Sequence, residues 1–177
     1  MTFARVRALI LVGVLFVTAC VLVIMAVTRD TQTKPRVANE CPAGLVPAHT
    51  TMPERNQVKI NVFNGTKIVG LAQQVGGEFK NRGFDVKKMA TTPGNRIYNN
   101  DIAIIRYGPE AVGAAQLVRA NFLLEADEAM QFDIRRKGPE VDVTIGVRFQ
   151  QLGTTTEVNQ SIAALGEPEL PPGTCSV

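Results

Sequence analysis

The 177-residue chain contains no tryptophan and only two tyrosines, and aromatic residues make up 6% of it. Flat sugar-binding surfaces present several exposed aromatic rings, on which the apolar face of a sugar stacks. So few aromatic residues leave a sugar-stacking platform poorly supported. This scarcity favours contacts with protein over contacts with glycan.

Histidine is as scarce, since His49 is the only one in the chain. It lies outside residues 58–152, where cysteine is also absent, so a serine–histidine–aspartate or cysteine–histidine site lacks its base there. No CxxC pair is present, and a lone histidine does not make a metal site. We therefore expect no catalytic residue, no metal and no cofactor, and a chain that is not an enzyme.

A large excess of charge of either sign is missing too. The chain has 19 basic and 16 acidic residues, and its net charge is +3. With Arg5 and Arg7 set aside, the remainder is almost balanced. Nucleic-acid binding through a basic patch is therefore disfavoured.

Long hydrophobic runs are absent except for one, residues 8–28, which contains no charged residue. About 20 apolar residues in a helix span the ~30 Å hydrocarbon core of a bilayer. A buried core helix is disfavoured because the run has no polar face. We predict a transmembrane helix over 8–28 that contacts inner-membrane lipid, preceded by a cytoplasmic tail of residues 1–7.

A cleaved signal peptide and a lipoprotein signal are the two alternatives to the membrane helix. A cleaved signal peptide has a shorter apolar stretch, whereas this run continues past Ala19 and Cys20. Residues 17–20 also resemble a lipoprotein cleavage box, but the residues that follow are apolar up to Val27. We expect an uncut, single-pass anchor with residues 29–177 outside the cytoplasm, because a seven-residue tail is too short to be the functional side.

Cys41 and Cys175 flank the remaining sequence in polar surroundings. Two cysteines outside the cytoplasm suggest a disulfide. Two free thiols in flexible tails stay the alternative, because sequence separation does not show whether the Cα atoms come within bonding range.

The rest of the chain predicts one small domain of α/β class, with an α+β two-layer architecture. Residues 29–57 carry four prolines and are expected to form an extracytoplasmic linker, while residues 153–177 are expected to be a flexible tail. Between them, alternating and helical hydrophobic periods give the order β-α-β-β-α-(β)-β, with helices packed on a four- or five-stranded sheet. Strands are expected at Val58, Phe84, Ile102, Met130 and Val141, and helices over 69–82 and from Pro109.

Residues 58–152 resemble the LytR C-terminal domain family. The landmarks are ValPheAsnGlyThr at 62–66, ValGlyLeuAla at 69–72, ArgGlyPhe at 82–84, IleIleArgTyrGly at 104–108 and ValAspValThrIleGly at 141–146. Many family members carry this domain behind a larger phosphotransferase domain that attaches glycopolymers to peptidoglycan, for which this sequence leaves no room. The arrangement of tail, membrane helix and one domain resembles stand-alone actinobacterial envelope integrity proteins.

The resemblance implies a non-catalytic, membrane-anchored binding or scaffolding module that supports cell-envelope integrity. Its expected partners are envelope-assembly proteins, and the alternative is direct binding of peptidoglycan or another cell-wall glycopolymer.

Two groups of residues are candidates for contact with a ligand or partner. The first is a turn between a strand end and a helix start, where an anionic or hydroxyl-rich ligand would meet free backbone N–H groups; it comprises Asn64, Gly65, Thr66, Lys67 and Gly70. The alternative is a purely structural turn. We expect Gly65 to have a positive φ in this turn. The second group is Arg106 and Tyr107, where the guanidinium either presents its fork at the sheet's end or only extends from the strand edge.

Overall fold

The computed structural model describes Gly13, residues 16–19, Val21, and residues 41–123 and 130–177. The chain divides into two compact units, Met1–Val37 and Ala38–Val177. Within the described residues no helix has the length and apolar character needed to cross a membrane. The membrane helix predicted over 8–28 lies largely outside the described residues, and the few that are described there are helical.

The second unit contains one mixed sheet, a separate strand pair and three helices among its described residues. The strands are β1 (Val46–Ala48), β2 (Lys59–Asn64), β3 (Asp85–Thr91), β4 (Ala103–Tyr107), β5 (Met130–Phe132), β6 (Glu140–Ile145) and β7 (Thr174–Ser176), and the helices are α1 (Leu71–Asn81), α2 (Val112–Ala120) and α3 (Thr155–Ala164). Short 3-10 turns occur at Arg55–Gln57, Pro93–Asn95 and Pro109–Ala111. The five-stranded sheet has the order β3-β2-β6-β4-β5, and β1 pairs with β7.

The predicted mixed α/β sheet with packed helices is confirmed. β2 is parallel to β3 and β6, whereas β4 is antiparallel to β6 and parallel to β5. Helix α1 connects β2 to β3 and α2 connects β4 to β5, and both lie on one face of the sheet, since the rings of Phe79 and Phe122 are 6.1 Å apart. The apolar strand β4 lies one place from the edge, and β6 occupies the middle.

Every second side chain through most of β2 and β6 is apolar, and these side chains lie on the face that packs against the helices. Ile60 and Val62 of β2 and Val143 of β6 are fully buried, as are Val75 and Phe79 of α1. Burying such a side chain contributes about 1.5 to 3 kcal/mol, so this face supplies much of the driving force for folding.

Helix α1 ends at Asn81, and Gly83 closes the turn that follows it. Gly83 has φ +90°, and its backbone N–H donates to the carbonyl of Lys80 at 2.9 Å. The N–H of Phe84 reaches back to the carbonyl of Phe79 at 3.0 Å, which satisfies a further helix-end acceptor. A residue with a Cβ would strain this turn.

The predicted linker and tail contain more structure than expected. Strand β1 lies in the linker and β7 lies in the tail. The two strands pair in parallel, with Pro47 opposite Cys175. The structure joins Cys41 to Cys175, whose Cα atoms are 5.8 Å apart. Sequence patterns do not reveal the β1–β7 strand pair, because strands of three residues carry almost no periodic signal.

Helix α3 also replaces part of the expected flexible tail. Thr154 and Glu157 form a capping box, in which the Glu157 carboxylate accepts from the Thr154 backbone N–H at 2.8 Å and from its hydroxyl at 2.7 Å. Hydrogen bonds from Thr154 hold the pKa of Glu157 below its usual value. The signal was present in the ThrThrThrGlu sequence.

We expect Thr154→Ala to destabilise the domain by about 1 kcal/mol, since an N-cap is lost. The pKa of Glu157 is lower in the folded chain than in the unfolded chain. The cap therefore stabilises the folded chain fully at pH values above the ordinary glutamate pKa, and this stabilisation is lost as the pH falls through the lowered pKa. The difference between wild type and variant should therefore shrink in acid. Urea unfolding at neutral and acid pH measures both effects, with the exposed Thr156→Ala as the matched control.

Candidate interaction surfaces

The AsnGlyThr turn is held by its own side chains. The buried Asn64 accepts through Oδ1 from the backbone N–H of Thr66 at 2.9 Å and from its hydroxyl at 2.8 Å. Its Nδ2 donates to the carbonyl of Ile68 at 2.6 Å, and Thr66 Oγ1 accepts from the N–H of Ile68 at 3.0 Å. Asn64 and Thr66 therefore make their hydrogen bonds within the loop, which is the structural role of the turn; a ligand role for it stays a prediction.

Gly65 is required for a different reason from the one predicted. It is not among the residues with positive φ, so that expectation was wrong. Instead, a Cβ at this position would lie 2.7 Å from Cδ2 of Tyr98 and 2.8 Å from the carbonyl oxygen of Ile145. The positive φ, +79°, occurs at Gly70, the N-cap of α1, so the helix begins at Leu71 and not at Val69.

This shift leaves the segment before α1 outside the helix. Lys67, Ile68 and Val69 are exposed, and the exposed fractions of Ile68 and Val69 are 58% and 97%. We call these three residues the tip. The helical spacing predicts that Val69 belongs to the helix, and it therefore misses this apolar feature. The signal for it is two β-branched residues directly after a turn.

The two other candidates, Arg106 and Tyr107, lie on opposite faces of β4. Tyr107 is buried on the helix side, 5.7 Å from the ring of Phe132, and burial raises the pKa of its hydroxyl. Arg106 is exposed on the other face, where its Nε donates to Oε1 of Gln131 at 2.8 Å. Strand alternation therefore separates them, and they do not form one site.

The face that carries Arg106 is covered by none of the described helices, and we call it the helix-free face. Its centre is Asp142 of β6, which accepts from Nδ2 of Asn61 at 2.8 Å and from Nη1 of Arg136 at 2.8 Å. The hydrogen bond to Asp142 is the main reason that the pKa of Arg136 is raised. Nearby, Lys88 lies 5.5 Å above the ring of Phe63. Fixed polar groups on neighbouring strands thus form an ordered surface.

A cavity of about 490 Å³ opens on the helix side, beneath the segment that follows α3. We call this segment, residues 165–172, the strap. The cavity is lined by Tyr107, Gln116, Arg119, Met130, Phe132, Leu165, Glu167, Pro168, Glu169, Leu170, Pro171 and Pro172. Eight of these twelve residues are aromatic, aliphatic or proline, and polar and charged groups are added by Gln116, Arg119 and two strap carboxylates.

Among residues 41–123 and 130–177, no three histidine, cysteine, aspartate or glutamate side chains are grouped so that they would hold a metal ion. His49 uses its backbone in the fold, where its N–H donates to Pro109 and its carbonyl accepts from Gly113, each at 2.9 Å.

The fold and its motifs define a LytR C-terminal domain. Residues 57–149, more than half of the chain, match the family described as the LytR cell envelope-related transcriptional attenuator, and the chain belongs to this family.

A similar solved structure is the soluble domain of a conserved hypothetical secreted protein, the Rv2700 ortholog, from Mycobacterium marinum. The TM-score is 0.50 and the sequence identity 22%, over 72% of this chain and 82% of that one. At this identity the likeness shows the fold alone. No curated protein matches the chain.

Proposed function

We infer that the chain is a non-catalytic binding or scaffolding module of the cell envelope, held by a membrane anchor at residues 8–28 with its domain outside the cytoplasm. Its role is to support envelope integrity by holding envelope-building proteins in place. Membership of the envelope-related family, the Cys41–Cys175 bridge and a similar fold in a secreted protein support this proposal.

The observation that carries it is the helix-free face. Asn61, Asp142 and Arg136 are fixed there by mutual hydrogen bonds, so a partner binds without having to order them. Lys88 and Arg106 are exposed beside this network, whereas the carboxylate of Asp142 is already paired. These two exposed cations fit a protein partner with an acidic surface.

We expect Lys88→Glu combined with Arg106→Glu to weaken partner binding by roughly fivefold or more, because each glutamate repels the acidic surface that the native cation attracts. The measurement is crosslinking of the full-length chain in intact cells, together with the permeability of the envelope to a dye. Lys80→Glu is the matched control, since Lys80 is exposed on α1, on the other layer of the domain. Equal defects in control and test variant would contradict the assignment of this face.

Two further experiments test for other activities. Retention of the purified chain on insoluble cell wall, lost in the Lys88→Glu and Arg106→Glu variant, would show glycopolymer binding in place of protein binding. Turnover of a cell-wall substrate by the purified chain would show an enzyme.

The anchor itself gives a further prediction. A tethered domain has a raised effective concentration near other membrane proteins, so weak contacts become occupied. Residues 29–177 exported as a free protein should therefore restore envelope integrity poorly in a deletion strain, whereas an unrelated membrane helix in place of 8–28 should restore it well. Full rescue by the free form at native abundance would argue for a diffusible protein.

A further inference from the structure

The tip and the cavity lie at opposite ends of the same sheet. The tip follows β2 at its carboxyl end, and β2 is parallel to β6. Tyr107 and Phe132 of the cavity end β4 and β5, which run antiparallel to β6. The carboxyl ends of the two strand sets therefore point in opposite directions, and so do the two features.

The tip has the properties of a rigid apolar projection. Val69 is almost fully exposed, yet hydrogen bonds from Asn64 and Thr66 hold the backbone of Ile68 on both its N–H and its carbonyl. Exposed aliphatic side chains on a fixed backbone lose little conformational entropy on binding. Lys67 adds a positive charge directly beside them.

The cavity has complementary properties. Its lining includes the apolar side chains of Tyr107, Phe132 and Leu165, and its volume of about 490 Å³ exceeds what an isoleucine and a valine side chain require. Glu167 and Glu169, both exposed on the strap, place two carboxylates among its lining residues, against the single guanidinium of Arg119. A ligand with an apolar end and a positive charge beside it suits this arrangement.

We propose that the occupant of the cavity is the tip of a second copy of this chain. Ile68 and Val69 enter between α2, β5 and the strap, and the Lys67 ammonium pairs with Glu167 or Glu169. The contact joins two different surfaces, and these lie at opposite ends of the domain. Copies therefore add head to tail in a line and do not close as a two-fold dimer. This goes beyond the proposed function, because the helix-free face stays open in every copy.

The first test places a photo-crosslinking benzoylphenylalanine at position 69 of the full-length chain, reconstituted in lipid vesicles. The expected products are a covalent dimer of twice the chain's mass and higher oligomers, whose crosslinked peptide maps to the strap or to Met130–Phe132 of the next copy. The same probe at Thr156, which is exposed on α3 and lines neither feature, is the matched control and should give no dimer. A monomer, or crosslinks to lipid alone, would overturn the proposal.

The second test exchanges the charges. Lys67→Glu should lower the dimer yield roughly three- to fivefold, and Glu167→Lys with Glu169→Lys should do the same, because each leaves like charges in contact. Combining all three substitutions should restore the yield. These side chains are exposed, so unchanged melting temperatures will show that folding is intact. Failure of the combined variant to recover any dimer would count against the pairing.

The third test separates this proposal from the proposed function. Val69→Asp removes the tip and Leu170→Asp alters the cavity, so each variant alone should be monomeric, and a mixture of the two should form dimers that do not extend. Dimers of either variant alone would contradict head-to-tail contact. If Val69→Asp leaves the chain monomeric while crosslinks from the helix-free face to other proteins persist, the two surfaces act independently. If the wild-type chain is monomeric while the crosslinks from the helix-free face to other proteins persist, self-assembly is contradicted and the proposed function is not.

Discussion

Replacing Cys41 and Cys175 together by serine is expected to lower the free energy of unfolding by about 5 kcal/mol in the loop-closure estimate. The bridge joins residues 134 positions apart, so it restricts nearly the whole domain in the unfolded chain. Small domains are stable by only about 5 to 15 kcal/mol, so the double variant should be largely unfolded at physiological temperature. Urea unfolding of the oxidised wild type and the variant measures the difference.

The same bridge also acts in the folded state. It lies where β1 pairs with β7, and it fixes the end of the strap that borders the cavity. The variant should therefore lose the photo-crosslinked dimer even under conditions in which its sheet remains folded. Cys20→Ser is the control, since Cys20 lies outside the bridged segment. Free alkylation of both Cys41 and Cys175 in the native full-length chain would contradict the prediction.

Gly65→Ala is expected to destabilise the domain by roughly 2 to 3 kcal/mol, as overpacking of a close contact does. The added methyl would meet the ring of Tyr98 and the carbonyl of Ile145, and the second of these is backbone in the central strand. Gly65 also donates to that carbonyl at 2.9 Å and accepts from the N–H of Tyr98 at 2.9 Å, so a shift of the loop breaks both hydrogen bonds. The tip should lose its fixed geometry with them.

Gly77→Ala is the matched control for this prediction. Gly77 lies within α1, its φ is negative, and a Cβ there meets no atom within 4 Å. Alanine should stabilise that helix by about 0.5 to 1 kcal/mol, because glycine is the poorer helix former. Thermal unfolding of both variants should thus give shifts of opposite sign, and an unchanged melting temperature for Gly65→Ala would show that the close approach is tolerated.

The candidate site was predictable only in part. The sequence singled out Asn64, Gly65 and Thr66 correctly as a turn, because side-chain hydrogen bonds over two residues are local and leave a compositional signal. The sequence predicted that position 65 needs glycine because of a positive φ. Glycine is needed instead because Tyr98 and Ile145, which are far away in sequence, approach this position closely. Close approaches of this kind depend on packing and leave no local pattern.

Periodicity alone determined the principal strands, the first two helices and their buried stripes, because alternation and helical spacing are properties of single segments. The tertiary structure decided the rest. It made β6 the central strand, placed Arg106 and Tyr107 on opposite faces, left Ile68 and Val69 outside the helix, and joined the two ends through β1, β7 and the Cys41–Cys175 bridge. These features depend on which distant segments come into contact, and a pattern that is read along one segment does not contain that information.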